Sequence, residues 1–298
     1  MRIFITGISG FIGRHLAEAL AASGHRVVGA GGRQSPDGFG GGDITYIAAD
    51  TTRPGPWQEE AARADVIVNL AGRTIARRWT RAYKKELHDS RIETTRQVVA
   101  AMRPDGRQVL LSASATGYYG DGGEAVLTED SPPGTGFLAD LAVEWERTAQ
   151  IIAESGAQVC RMRFGVVLGP DGGALAEMLP VFRRGLGGPL GGGRQWFSWI
   201  HLQDLVDAIL FLITEDIAGP VNLTAPEPVQ QGDMARTLAR RLGKPAVVPA
   251  PAPLLRLGLG EMATALLASQ RVVPQRLMAA NFNFRFPNIQ SALSALVG

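Results

Sequence analysis

An α/β fold built on a doubly wound parallel sheet, with a smaller C-terminal lobe, is predicted by three observations. Through about residue 168, short apolar runs alternate with helical patterns. A glycine cluster, "TGISGFIG", separates the first run from the first helical pattern. Beyond Leu168 the alternation gives way to Gly- and Pro-rich stretches before it resumes once. Such alternation implies parallel strands joined by right-handed crossovers.

The first run, "RIFITG" (2–7), reads as a buried strand, and "GRHLAEALAASG" (13–24) as an amphipathic helix with a glycine stop. "HRVVGAG", "DITYIAAD", "DVIVNLAG" and "QVLLSASA" follow as strands two to five. "AYKKELHDSRIETTRQVVAAM" and "AVEWERTAQIIAESG" are helices between strands, and "QVCRMRFGVVLG" is a sixth strand. "GLGGPLGGGRQW" (185–196) reads as loop; "LQDLVDAILFLITED" returns as a helix and "GPVNLTA" as a strand. The tail from about Glu227 mixes helical patterns with proline-rich joints. The pattern divides the chain into a nucleotide-binding domain of residues 1–168 plus 200–225 and a substrate lobe of 169–199 plus 226–298.

Composition excludes several function classes. With 298 residues, 45% apolar, 19% charged and a formal charge of +2, the chain is an ordinary globular one whose charge gives no argument for nucleic acid. Arg77–Trp79 and Tyr83–Lys85 form the densest basic stretch and read as a solvated helix face. The one cysteine, Cys160, excludes internal disulfides and a Cys-rich zinc site, and its apolar strand makes it an inert core thiol. No metal site is expected. The most apolar late stretch, Pro249 to Gln270, is broken by Arg256 and Glu261, so no membrane span is expected. The chain starts on a strand pattern without a signal peptide, and a cytoplasmic location is expected.

Gly7, Gly10 and Gly13 follow a strand and open a helix, which is the context a dinucleotide turn needs. Small residues let the backbone approach a pyrophosphate, and the N–H groups at Phe11, Ile12 and the rest of the first turn point at it. This makes the predicted sheet a Rossmann sheet. NAD binders usually end strand two with a carboxylate for the ribose 2′-OH; "VVGAGGRQ" offers Arg33 instead, and an arginine fork suits a 2′-phosphate. Arg14 is placed to help. Asp50, ending strand three, is a candidate adenine contact, and Leu70, Ala71 and Gly72 end strand four where the chain would pass the diphosphate and ribose. The expected cofactor is NADP(H).

"TGISGFIG", "NLAG", "LLSASATGYYG", "MRFGVVLGPDGG" and "WIHLQDLVDAI" occur in the order seen in the extended short-chain dehydrogenase/reductase group, epimerase/dehydratase type, which the chain resembles. More narrowly it is similar to an atypical subgroup, the epimerase-family or nucleoside-diphosphate-sugar epimerase-like proteins. The segments that carry this likeness are "SASATGYYGDGG", "LTEDSPPG", "GPLGGGRQWFSWIH", "GPVNLTAPEPV" and "GEMATALLASQRVVPQRL". The resemblance implies an NADP-binding fold, a small C-terminal domain peculiar to the subgroup, and no assigned reaction. Some relatives carry cell-division labels.

In the parent group a tyrosine, a lysine four residues on, a serine and an asparagine perform the chemistry. Here the tyrosine–lysine position maps to Phe137 and Leu141, or to Leu138 and Ala142 if Glu146 anchors the comparison. Neither option is titratable. The three lysines, Lys84, Lys85 and Lys244, lie far away in sequence. Ser114 fits the serine, with Ser112 as its same-face neighbour, and Arg91 stands where the asparagine would be. Tyr118 and Tyr119 follow strand five at the expected mouth of the site and become the candidate proton donors, Tyr119 first. Arg91 is a candidate oxyanion partner. Arg194 and Trp196, at the end of the glycine-rich loop, are candidate substrate contacts, Arg194 for a phosphate or carboxylate. His201 and Asp204 read as architectural. The expected function is an NADP(H)-dependent epimerase/dehydratase-like oxidoreductase acting on a carbonyl compound or sugar nucleotide. The alternative is a catalytically silent NADP-binding regulator.

Overall fold

The computed structural model describes residues 1–32, 42–105 and 107–297. Seven parallel strands form its central sheet: β1 (Arg2–Thr6), β2 (Arg26–Gly31), β3 (Ile44–Ala48), β4 (Val66–Asn69), β5 (Val109–Ala115), β6 (Gln158–Phe164) and β7 (Gly219–Leu223). Their spatial order is β3-β2-β1-β4-β5-β6-β7. The winding reverses between β1 and β4, so a crevice opens there at the carboxyl ends of the strands, where such sheets bind ligands.

The helices in chain order are α1 (Phe11–Ala22), α2 (Trp57–Ala62), α3 (Arg81–Ala101), α4 (Phe137–Gln150), α5 (Gly173–Arg183), α6 (Leu202–Thr214) and α7 (Gln231–Arg241), with further short helices towards the C-terminus. Strand alternation divides the core in two. Ile3, Ile5, Val68 and Leu111 face α1 and α6 through Leu16, Leu20, Leu205 and Ile209. Phe4, Ile67 and Leu110 face the other side, against Trp57, Val98 and Ala149 of α2, α3 and α4. A third core joins Leu175, Leu179 and Phe182 of α5 to Met234 and Leu238 of α7 and to Leu293 of the helix Ile289–Val297.

Two expectations need correcting. The sixth strand does not run through residue 169: it ends at Phe164, and Val166–Leu168 pairs instead with Trp199–His201. Gly165 makes the exchange possible, its N–H donating to the Leu223 carbonyl while the next N–H donates to that of Ser198. A Cβ at Gly165 would lie 3.0 Å from the Ser198 carbonyl oxygen. The second correction is α4, which starts at Phe137 rather than near Ala142, because Gly136 takes φ +102° and turns the chain into the helix earlier.

His201 and Asp204 are architectural, as the sequence suggests: His201 caps α6, its Nδ1 accepting from the Gln203 N–H at 3.0 Å. Asp204 is fully buried and accepts from the N–H groups of Arg285 and Phe286 at 2.8 and 3.0 Å, fastening α6 to the C-terminal segment. The His201 ring stacks on Phe286 at 3.9 Å, and burial pulls its pKa down to about 4. An unfolded histidine, near ~6.5, therefore takes up a proton before the folded one does. The neutral ring's contribution is complete above that value and is lost as pH falls towards the folded pKa. His201→Asn keeps an N-cap acceptor without titrating. Its melting temperature is expected to fall less steeply than the parent's between about pH 6.5 and 4.5; parallel curves would refute this.

Cys160 is fully buried in β6, and burial raises its thiol to about 12. No helix among the described residues is long and apolar enough to cross a membrane, and no group of His, Cys, Asp or Glu among them could hold a metal ion.

Candidate functional site

The glycine turn joins β1 to α1 at the winding reversal. Gly7 takes φ +71°, and a Cβ on it would come within 3.0 Å of the Ala71 backbone. This close approach puts Leu70–Gly72 beside the turn. Gly13 is the tightest position, since a Cβ there would lie 2.3 Å from the Gly7 carbonyl oxygen. Gly10 is exposed, and a Cβ there would meet only that same oxygen, at 3.1 Å. As N-cap of α1 it supplies no side-chain acceptor, and the first turn carries no carboxylate. Among the described residues nothing accepts from the N–H groups of Phe11, Ile12 and Gly13, which with the positive end of the helix suits a pyrophosphate.

The other expected cofactor residues are spread around this turn. Arg14 is engaged elsewhere, pairing with the carboxylate of Asp171, which also meets His15 Nε2 at 3.1 Å. Asp50 is exposed just beyond β3, its Oδ1 accepting from the Thr52 N–H at 3.1 Å and hydroxyl at 2.6 Å, and these bonds hold it below the usual carboxylate range. Leu70 and Ala71 are tied to Thr6 through their N–H groups. Arg33 lies outside the described residues.

Arg91 reaches the same loop from α3. Its guanidinium donates to the carbonyls of Leu87 at 3.1 Å and Arg73 at 3.0 Å, and its Cζ lies 5.3 Å from the centre of the Trp145 ring. It pairs with no carboxylate among the described residues. Burial pulls its pKa down to about 10, which leaves it charged at neutral pH. Its observed contacts anchor the chain around Gly72.

Ser114 and Tyr119 belong to one buried network that the sequence reading did not assemble. The Ser114 hydroxyl donates to Glu146 Oε1 at 2.8 Å. Arg163 holds the same carboxylate with two bonds, 2.7 Å from Nε and 2.9 Å from a terminal nitrogen. It also donates to the Tyr119 hydroxyl at 2.8 Å, which in turn donates to Asn222 Oδ1 at 2.7 Å. Tyr119 is 3% exposed and its pKa is raised to about 12, burial outweighing the nearby arginine. The structure therefore turns Tyr119 inward, away from the mouth expected for it. Tyr118 is half-buried, with the Arg163 guanidinium 3.5 Å above its ring. Ser112 points to a separate buried group, accepting from Asn69 Nδ2 at 3.3 Å.

The start of α4 is apolar, as its sequence indicates. Phe137 packs edge-on to Trp79, Leu138 lies over Gly117, and Leu141 and Ala142 are buried. The fold nevertheless brings in a lysine that is distant in sequence. Lys84 Nζ lies 4.7 Å from the centre of the Phe137 ring and 2.6 Å from both carboxylate oxygens of Glu261, so that α3 is tied to the C-terminal lobe. Trp196 donates to Glu124 at 2.8 Å and lies under the Arg271 guanidinium at 4.4 Å. Arg194 is exposed and forms no ion pair among the described residues. Arg163, Glu146 and Asn222 were legible only as alternation: an arginine pointing inward from an apolar strand requires a buried carboxylate, and Glu146 lies on the inner face of its helix.

Comparison with known proteins accords with this geometry. A family model described as the NAD dependent epimerase/dehydratase family matches residues 3–223, and a domain of unknown function, DUF1731, matches residues 250–296. The chain is 40% identical to the epimerase family protein SDR39U1 homolog, chloroplastic, of Arabidopsis thaliana, over 100% of this chain and 87% of that one. It is 39% identical to the epimerase family protein MT2273 of Mycobacterium tuberculosis, over 98% and 96%. The crystal structure of human epimerase family protein SDR39U1 (isoform2) with NADPH superposes with a TM-score of 0.88 at 33% identity, covering 100% of this chain and 99% of that one. With a family model spanning most of its length and full-length relatives at this identity, the chain belongs to the NAD dependent epimerase/dehydratase family.

Proposed function

We propose that the chain is an NADP(H)-dependent reductase that works without the tyrosine–lysine pair of its wider group. The observation that carries this reading is the glycine turn, with its free α1 N-terminus, beside Leu70–Gly72 at the winding reversal. β2 supports the phosphorylated cofactor, ending at Gly31 without a carboxylate, with Gly32 and Arg33 next in sequence. The human relative was crystallised with NADPH. When bound, this cofactor would supply a hydride. Phe11, Ile12 and Gly13 would hold the diphosphate, the Leu70–Gly72 backbone the ribose and Asp50 the adenine side, while Arg33, outside the described residues, is the sequence's candidate for the 2′-phosphate.

In this reading Ser114, Tyr119 and Arg91 position the site rather than transfer protons. Ser114, buried at the end of β5, donates its hydrogen bond to Glu146 and holds that carboxylate in place. Arg91 holds the cofactor loop. Tyr118, Arg194 and Trp196 are left for contact with the substrate, an unidentified small molecule. Arg33→Ala is expected to weaken NADPH binding by roughly tenfold or more, the worth of one charge-assisted contact, and to leave NADH unchanged; calorimetric titration of both cofactors checks this.

The apolar start of α4 favours a second reading, a silent NADP-binding regulator. Stoichiometric NADPH mixed with a broad carbonyl panel separates the two. Consumption of the bound cofactor supports the reductase, and tight binding without consumption supports the regulator.

A further inference from the structure

Large aliphatic side chains that the C-terminal lobe leaves in solvent are concentrated on two stretches of chain. Leu186 is 56% exposed, Val247 72%, Leu254 63% and Leu257 76%. Backbone contacts set the two stretches side by side. The Ala250 N–H donates to the Pro189 carbonyl at 2.9 Å, the Gly191 N–H donates to that of Ala250 at 2.8 Å, and a Cβ on Gly188 would lie 2.2 Å from the Val248 carbonyl oxygen. From there the chain enters α8 (Ala252–Leu259), none of whose residues is buried. Its inner face, Ala252, Leu255 and Leu259, is half-buried, and Leu254 and Leu257, three residues apart, stand outward. A surface helix ordinarily turns polar residues outward; this one turns out leucine. Charge is equally one-sided. Residues 181–194 and 234–260 contain eight arginines and lysines and no Asp or Glu, in a chain whose formal charge is only +2. All eight are exposed, and only Arg236 has a carboxylate partner among the described residues.

We propose that this part of the lobe docks on the surface of an anionic lipid bilayer. Leu254 and Leu257 enter the boundary between headgroups and acyl chains, and Arg183, Arg184, Lys244 and Arg256 meet the lipid phosphates. Attachment of this kind lies on the membrane without spanning it, and its strength combines the apolar area buried with the attraction of each cation. Arg256, between the two leucines, can lay its apolar stem along them while its guanidinium stays at headgroup level. Charge complementarity selects the occupant. A second copy of the chain joined about a twofold axis would set this cationic surface against itself. A nucleic acid would satisfy the cations through its phosphates and leave the leucines in water. An anionic bilayer answers both features at once.

The test is co-sedimentation of the full chain with two kinds of vesicle, phosphatidylcholine alone and an equal mixture of phosphatidylcholine and phosphatidylglycerol. The chain is expected to pellet with the mixed vesicles, to stay in solution with the neutral ones, and to be released as added salt screens the charges. Lys244→Gln/Arg256→Gln is expected to bind the mixed vesicles at least tenfold more weakly, at about fivefold for each cation lost. Leu254→Ser/Leu257→Ser is expected to lose at least tenfold as well, because two leucines no longer enter the apolar layer. Both pairs are exposed, so circular dichroism and melting temperature are expected to match the parent. No attachment to the mixed vesicles, equal attachment to the neutral ones, or parent-like attachment of the leucine variant would each overturn the proposal. So would tighter binding to duplex DNA or to polyglutamate than to the mixed vesicles at the same salt, or, by light scattering, a dimer that the leucine variant abolishes. None of these readings depends on the cofactor.

Discussion

Arg163→Met is expected to destabilise the protein by about 3–5 kcal/mol, the cost of leaving a buried carboxylate without its partner. Arg163 and Glu146 are 2% and 4% exposed, and the pair is joined by two hydrogen bonds. Removing the guanidinium strands Glu146 and also takes a donor from the Tyr119 hydroxyl and from the Glu129 carbonyl. Ser114 would then be left with its hydrogen bond to the carboxylate, and Arg161, 3.7 Å from Glu146 Oε2, as the looser remaining cation. In a chain of this size the loss corresponds to roughly 10 °C in melting temperature. Glu146→Gln is expected to cost somewhat less, because the amide oxygen still accepts from Arg163. The double variant Arg163→Met/Glu146→Gln is expected to fall well short of the sum, since the second change relieves the charge exposed by the first. Urea unfolding of the four proteins checks this, and single variants within ~1 kcal/mol of the parent would show that the network contributes no such stability.

The second large effect concerns the glycine turn, where two neighbouring glycines are expected to fail differently. Gly10→Val directs a side chain to where the pyrophosphate would lie, yet its Cβ meets only one carbonyl oxygen at 3.1 Å. A folded protein with at least ~100-fold weaker NADPH binding is expected, equivalent to the loss of two or more charge-assisted contacts. Gly13→Val meets backbone at 2.3 and 2.8 Å, so the turn itself must move and stability should fall along with binding. Thermal melts beside cofactor titrations separate the two, and undiminished NADPH affinity in Gly10→Val would contradict the site.

The cofactor half of the molecule was legible because its rules are local. A strand, a glycine turn and a helix start lie within Arg2–Gly13, and the apolar alternation that assigns β1, β4 and β5 to the sheet is the same alternation that divides its two cores. Legibility failed where distant segments exchange partners. Gly165 reads as one residue inside a long strand pattern, and only the arrival of Ser198 and Leu223 makes it the break. Tyr119 looks like a residue at the mouth of the site because it follows β5; its inward turn is set by Arg163 and Asn222, 44 and 103 residues further on. Lys84 is remote from Phe137 in sequence, and α3 carries it there. α5 was hidden by the glycine- and proline-rich composition around it, with Pro180 inside the helix itself.

Side-by-side titration of the intact chain with NADPH and NADH tests the central claim most directly. The glycine turn without a first-turn carboxylate, and a second strand ending in glycine before Arg33, predict one saturable site per chain that prefers NADPH by roughly tenfold or more, one charge-assisted contact's worth. Equal curves for the two cofactors would contradict the assignment of the phosphorylated cofactor, and no saturable binding of either would contradict the site itself.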